Sequence, residues 1–285
     1  MPELNLPPTL LVGVAVILGL LVGSFLNVVI YRLPMQLQIS WREMAREILE
    51  LKAEVEPRIS LAFPASHCPK CNASIKPWHN IPVISYLLLK GQCQNCSTKI
   101  SLQYPAIELL TGLLSGFIIF HYGMSEQGLL ALLFTWCLIA LTGIDFGHKL
   151  LPDNITLPLM WIGLLANTQG VFTDLASSVI GGAVGYLSLW TVYIIFKKLT
   201  GKEGMGHGDF KLLAALGAWM GWQFLPMIIL LSAVVGALVG IAGILIMGRD
   251  KQIPIAFGPY LAAAGWIALI WGHDILAWYT PYLAP

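Results

Sequence analysis

Charge is scarce in this chain. Only 11% of its 285 residues are Asp, Glu, Lys or Arg, and the mean hydropathy is +0.75. A soluble domain carries about 25% charged residues, so a soluble globular protein is excluded. A basic leader followed by a short apolar core and a small-residue cleavage site is missing, and the first apolar run, Thr9 to Tyr31, reads as a retained helix. Three catalytic signatures are also missing. There is no H-E-x-x-H of a metallopeptidase, no G-x-S-x-G nucleophile elbow, and no Walker spacing for a nucleotide phosphate. The net charge of +1 says little, because in a membrane protein the distribution of charge matters more than its sum; no nucleic-acid partner is expected.

What is present is a series of apolar runs, at about 9–31, 105–121, 127–144, 155–172, 175–196, 212–222, 226–247 and 256–272. Most approach the ~20 residues that span a bilayer, and the pattern predicts an α-helical polytopic membrane protein with about eight transmembrane segments. The run from Leu212 to Trp222 is too short to cross at about 1.5 Å per residue, and a short segment beside a glycine-rich break marks a functional site. The 16 basic residues divide unevenly. Nine lie in 32–104, one in 145–154, four in 197–211 and two in 248–255, while the alternate loops and both tails hold none. By the positive-inside rule every basic loop is cytoplasmic, which places both termini in the periplasm. The domains expected are a first transmembrane helix (1–31), a cytoplasmic metal-binding insert (32–104) and a membrane-embedded catalytic domain (105–285).

The insert opens with Ser40-Trp41-Arg42-Glu43, a capping box that predicts a new charged helix running to Glu56 before Pro57 stops it. It then carries two C-x2-C pairs, Cys68/Cys71 and Cys93/Cys96, separated by 21 residues. Four thiolates in two knuckles suit a tetrahedral structural zinc site, and disulfides are not expected on a cytoplasmic face. A closed four-cysteine site has no open position for catalysis, so a zinc-ribbon-like structural role follows. The fifth cysteine, Cys137, sits in an apolar run and is read as packing.

Aspartates number six. Asp174 and Asp274 fall on the outer face, and Asp250 lies between two basic residues. Asp153, in Pro152-Asp153-Asn154, reads as the turn that caps the fourth run. Asp145 and Asp209 remain, at ends of apolar segments, where an ionisable group is costly and marks function. Two carboxylates sharing a site can hydrolyse a peptide bond, because their repulsion keeps one proton on the pair: the ionised member activates water and the protonated one polarises the carbonyl. Helix-end dipoles suggest Asp209 as base and Asp145 as acid. Gly204, Gly206 and Gly208 precede Asp209 and are expected to adopt positive φ and admit a substrate chain, with Gly206 and Gly208 positioning it.

These motifs together resemble the type IV prepilin peptidases, also called leader peptidase/N-methyltransferases. The likeness extends over nearly the whole length. It rests on Gly23-Ser24-Phe25-Leu26-Asn27 with Arg32-Leu33-Pro34, the paired knuckles with Asn80-Ile81-Pro82 between them, and Ile144-Asp145 with Leu151-Pro152-Asp153. It rests also on Gly204-Met205-Gly206-His207-Gly208-Asp209-Phe210-Lys211 and Phe257-Gly258-Pro259-Tyr260. The resemblance implies a bifunctional enzyme of the bacterial inner membrane. It would remove the basic leader of type IV prepilins and type II secretion pseudopilins after a glycine, at the cytoplasmic face. It would then methylate the new N-terminus from S-adenosyl-L-methionine. The family's catalytic aspartates fall on Asp145 and Asp209 and its zinc ligands on Cys68, Cys71, Cys93 and Cys96; no residue matches a methyl-donor site. Two alternatives stand beside it: a presenilin-like intramembrane aspartic protease, against which the cysteine insert argues, and a proton-coupled transporter, which predicts an internal repeat that the sequence does not show.

Overall fold

The computed structural model describes residues 7–52, 59–248 and 256–279. Among them the regular structure is helical, with two isolated antiparallel bridges and no sheet. The chain divides into two compact units, 1–140 and 141–285.

The first unit is built on α1 (Pro8–Ile48) and α3 (Gln103–Tyr122), with a one-turn helix α2 (Ile84–Leu88) between them; α4 (Glu126–His148) begins in it and its last eight residues, Asp145 among them, belong to the second. The expected break after residue 31 and fresh start at Ser40 do not occur. Helix α1 is continuous over 41 residues and carries Pro34 inside it. The interruption is absorbed because the segment after the helix binds back to it. Arg32, one turn from Gln36 on the same face, donates to the carbonyls of Ser60 (3.0 Å), Leu61 (3.3 Å) and Pro64 (2.7 Å), and Gln36 donates to Ile59 (3.0 Å). The helix stops at Ile48 rather than running on, with Leu49 as its C-cap and Glu50 in a left-handed conformation; residues 53–56 of the expected helix lie outside the described residues.

Helices α1 and α3 cross antiparallel through glycine. A Cβ on Gly19 would stand 2.5 Å from Ser115 Oγ, and one on Gly23 would stand 2.7 Å from Glu108 Cα; Gly112 and Gly116 accept Leu20 and Val16 in return. Small residues spaced by four on both partners let two membrane helices approach closely where no hydrophobic effect drives them together. Trp136 on α4 adds a hydrogen bond to Ser115 (3.0 Å).

In the second unit, α5 (Asp153–Asn167), α6 (Leu175–Thr200), α8 (Leu225–Met247) and α9 (Gly258–Tyr279) surround a short α7 (His207–Met220). From Asp209 onward every α7 residue but Lys211 is buried, as befits a helix apolar all round. Gly181 of α6 and Gly217 of α7 meet backbone to backbone, so a Cβ on either would strike the other, and Gly185 lies against Leu213. The free carbonyls at the end of α7 have partners: Asn167 donates to Ala218 (2.9 Å) and Trp219 (3.0 Å), and Ser178 also donates to Ala218 (2.5 Å). Such capping is needed because a helix end leaves carbonyls that cost free energy when buried unpaired.

Among the described residues, six helices are long and apolar enough to cross a membrane. Helices α5 and α7 are not, at 15 and 14 residues, or about 21–23 Å. The short run at 212–222 is thus a short helix as expected. The run at 155–172 is shorter than expected because α5 ends at Asn167, whose side chain turns to cap α7.

Candidate functional site

Asp145 stands in the last turn of α4 and Asp209 in the first turn of α7. Both carboxylates are buried, at 5% and 7% exposure, and they lie within electrostatic reach of one another. Three elements hold them. The Asp145 Oδ2 accepts a 3.0 Å hydrogen bond from the N–H of Gly258, the first residue of α9. Leu151, in the turn after Asp145, lies between two glycines. A Cβ on Gly208 would fall 2.7 Å from the Leu151 Cβ, and one on Gly258 would fall 3.0 Å from its Cδ2 and 2.8 Å from Asp145 Oδ2. Finally, Lys211 Nζ donates to both carboxylate oxygens of Asp153, each at 2.7 Å. The Leu151–Asp153 turn therefore joins the Asp145 segment to the Asp209 segment on two sides.

Several sequence expectations change in detail. None of Gly204, Gly206 and Gly208 adopts positive φ. At Gly204 and Gly208 a close approach calls for glycine. Gly204 packs on the Phe196 ring, Gly208 on Leu151, and Gly206 is the N-cap of α7, where a Cβ would sit 3.6 Å from Asp209 Oδ2. Nor does Asp153 cap α5: the N-cap is Pro152, and the Asp153 side chain is taken by Lys211 instead. The glycine-rich loop is held by a latch at the end of α6. Lys197 donates to Glu203 (2.7 Å), as does the Tyr193 hydroxyl (3.2 Å). The Lys197 hydrogen bond keeps the Glu203 carboxyl below the usual carboxylate range. The contributions of Gly258 and Leu151 to the site were hidden in the sequence. Phe257-Gly258-Pro259 and Leu151-Pro152-Asp153 stood out only as family-like strings, with no chemistry of their own to flag them.

The four knuckle cysteines come together in the first unit. Their sulfurs all lie within 4.8 Å of one another, with Cys68–Cys96 at 3.7 Å and Cys71–Cys93 at 4.0 Å, and none is in a disulfide. A tetrahedron with Zn–S bonds of about 2.3 Å has sulfur–sulfur edges of about 3.8 Å, so the cluster fits zinc. The two knuckles repeat one geometry at an offset of 25 residues. Cys68 N–H to Ala73 O (2.9 Å) matches Cys93 N–H to Thr98 O (2.8 Å), and Ile75 to Ser66 matches Ile100 to Gly91. Asn72 and Ser97 both take φ of 55°. Hydrogen bonding with Thr98, side chain and backbone, brings the Cys96 thiol down to about 6, which suits a thiolate ligand.

The model of the bacterial peptidase A24 N-terminal domain matches residues 17–122, and that of the type IV leader peptidase family matches residues 132–241. The chain belongs to the type IV leader peptidase family. Proteins named prepilin leader peptidase/N-methyltransferase are close relatives across almost the full length. That of Stutzerimonas stutzeri is 53% identical over 96% of both chains. That of Aeromonas hydrophila is 52% identical over 95% of this chain and 94% of its own. That of Pseudomonas aeruginosa is 50% identical over 96% of this chain and 95% of its own. No solved structure matches the chain. Asp145, Leu151, Asp153 and Asp209 fall in the stretch matched by the leader peptidase model, and the cysteines in the stretch matched by the N-terminal domain.

Proposed function

We propose that this chain cleaves the basic leader from type IV prepilins and type II secretion pseudopilins after a glycine, and then methylates the new N-terminal amine. The observation that carries the peptidase reading is the meeting of two buried aspartates, 64 residues apart in sequence, around the shared Leu151 turn. Each carboxylate accepts from a backbone N–H at a helix N-terminus, Asp145 from Gly258 at that of α9 and Asp209 from Gly206 at that of α7; Asp145 is taken as the ionised member, opposite to the roles expected from the sequence. Asp145 then takes a proton from water as the water oxygen attacks the scissile carbonyl carbon, and Asp209 gives its proton to the carbonyl oxygen. When the tetrahedral intermediate collapses, Asp145 returns its proton to the leaving nitrogen as the C–N bond breaks, and Asp209 recovers a proton from the intermediate's hydroxyl. Gly206, the N-cap of α7 beside the Asp209 carboxylate, positions the substrate backbone together with Gly208.

The remaining parts follow the same reading. Cys68, Cys71, Cys93 and Cys96 hold a structural zinc that ties the two knuckles into one insert. S-adenosyl-L-methionine supplies the methyl group for the second reaction. Functionally the chain divides into a first membrane helix (1–31), the metal-binding insert (32–104) and the peptidase part (105–285). The protein is a multi-pass protein of the bacterial inner membrane, with the site near the cytoplasmic face and both termini periplasmic, as the basic-loop asymmetry supports. The test is mass spectrometry of a synthetic prepilin segment incubated with the purified protein and S-adenosyl-L-methionine. A single cut after the glycine and one methyl group on the new amine are expected; an intact substrate overturns the reading.

A further inference from the structure

The insert between α1 and α3 has a face that the zinc site does not use. Residues 66–102 hold Lys70, Lys76, Lys90 and Lys99 and no Asp or Glu, and all four lysines are exposed. Within this cationic stretch, α2 turns its apolar side outward. Ile84, Leu87 and Leu88 share one helical face and are exposed, Leu87 at 68% and Leu88 at 76%. The polar side is turned inward: Ser85 is buried, accepting from the Ile81 N–H (3.0 Å) and donating to the Trp78 carbonyl (2.8 Å). Trp78 is exposed beside the same turn, with Lys76 Nζ 5.5 Å from its ring centroid.

The height of this face is fixed by one hydrogen bond. The Val83 N–H donates to Glu108 Oε2 at 2.8 Å, and Glu108 lies in the second turn of α3, a helix long and apolar enough to cross a membrane. Val83 is held there with φ of 61°, a conformation that a β-branched residue adopts only when its surroundings impose it. Helix α2, which begins at the next residue, therefore starts beside the end of α3 where that helix enters the bilayer. We propose that the zinc insert rests on the lipid: Ile84, Leu87 and Leu88 enter the boundary between headgroups and acyl chains, Trp78 lies at headgroup level, and the lysines of residues 66–102 face anionic headgroups. An apolar helical face with basic surroundings and an aromatic anchor is the composition of an interfacial element. This inference does not depend on the peptidase reading.

The test uses the full chain in nanodiscs, with an environment-sensitive fluorescent amino acid in place of Leu88, in place of Ile84, or, as a control, in place of Glu43 on the exposed far end of α1. Brominated lipids should quench positions 84 and 88 several-fold more than position 43. Quenching should rise when phosphatidylglycerol replaces part of the phosphatidylcholine, and fall back in a Lys76→Gln/Lys90→Gln variant that retains its zinc. Quenching at 84 and 88 no stronger than at 43 would overturn the proposal. So would shielding of these positions only on addition of a prepilin segment, which would assign the face to a protein partner.

Discussion

In the knuckle insert each turn is closed by a partner nearby in sequence: Cys68 with Ala73, Asn72 with Cys68, and the same pattern again from Cys93. Around α7 the partners are remote. Gly258 reaches Asp145 across 113 residues, Trp219 reaches Leu159 across 60, and Asn167 reaches Ala218 across 51. The first region is encoded locally, with four sulfurs placed to hold an ion between its halves. The second depends on glycines that let helices touch. The two regions should therefore fail under different insults.

The largest separation comes from metal. Structural zinc contributes about 10–16 kcal/mol to small metal-dependent folds. Chelation, or Cys68→Ser with Cys96→Ser, should abolish amide-exchange protection in 66–102 and leave α7 protected. Loss of protection in both regions together would show that they are one cooperative unit. A smaller effect is expected from Gly258→Ala. Its new Cβ would stand 2.8 Å from Asp145 Oδ2, displacing the carboxylate, and a misplacement of about 1 Å costs roughly 100-fold in rate. The kcat for prepilin cleavage should fall by about that factor with zinc content unchanged. Next is Gly217→Ala at the α6–α7 crossing, where overpacking costs about 1–3 kcal/mol. Thermal unfolding followed at α7 should shift down while the insert's metal affinity stays constant. The smallest effect belongs to Lys211→Gln. The Lys211–Asp153 pair is short but its carboxylate is half exposed, and such pairs contribute about 0.2–1 kcal/mol, so cleavage should change only a few-fold.

The same contrast explains what could be read in advance. Both cysteine pairs were legible because a C-x2-C knuckle carries its ligands, its turn and its register in one short string. The apolar runs were legible because burial in lipid leaves a continuous signal, and seven of the eight expected segments begin within a few residues of an observed helix. What could not be read depends on distant contacts. The apolar run ends at Tyr31 and Ser40 reads as a fresh helix start, yet α1 runs through both, with Arg32 and Gln36 bound by carbonyls of residues 59–64. Gly204, Gly206 and Gly208 looked like positions for left-handed backbone, but the contacts that call for glycine at two of them are the Phe196 ring and Leu151. The expectation of Asp145 as the acid rests on its own helix end; the Gly258 N–H that meets its carboxylate comes from α9, 113 residues away.

Asp145 and Asp209 are proposed to act as one pair. The most direct measurement is single-turnover cleavage of a prepilin segment by Asp145→Asn and Asp209→Asn, each checked for retained zinc and helical content, alongside the double variant. Each single change should remove cleavage as completely as the double change does, because one carboxylate without the other cannot both activate water and polarise the carbonyl. Near-normal cleavage by either single variant would contradict the pair.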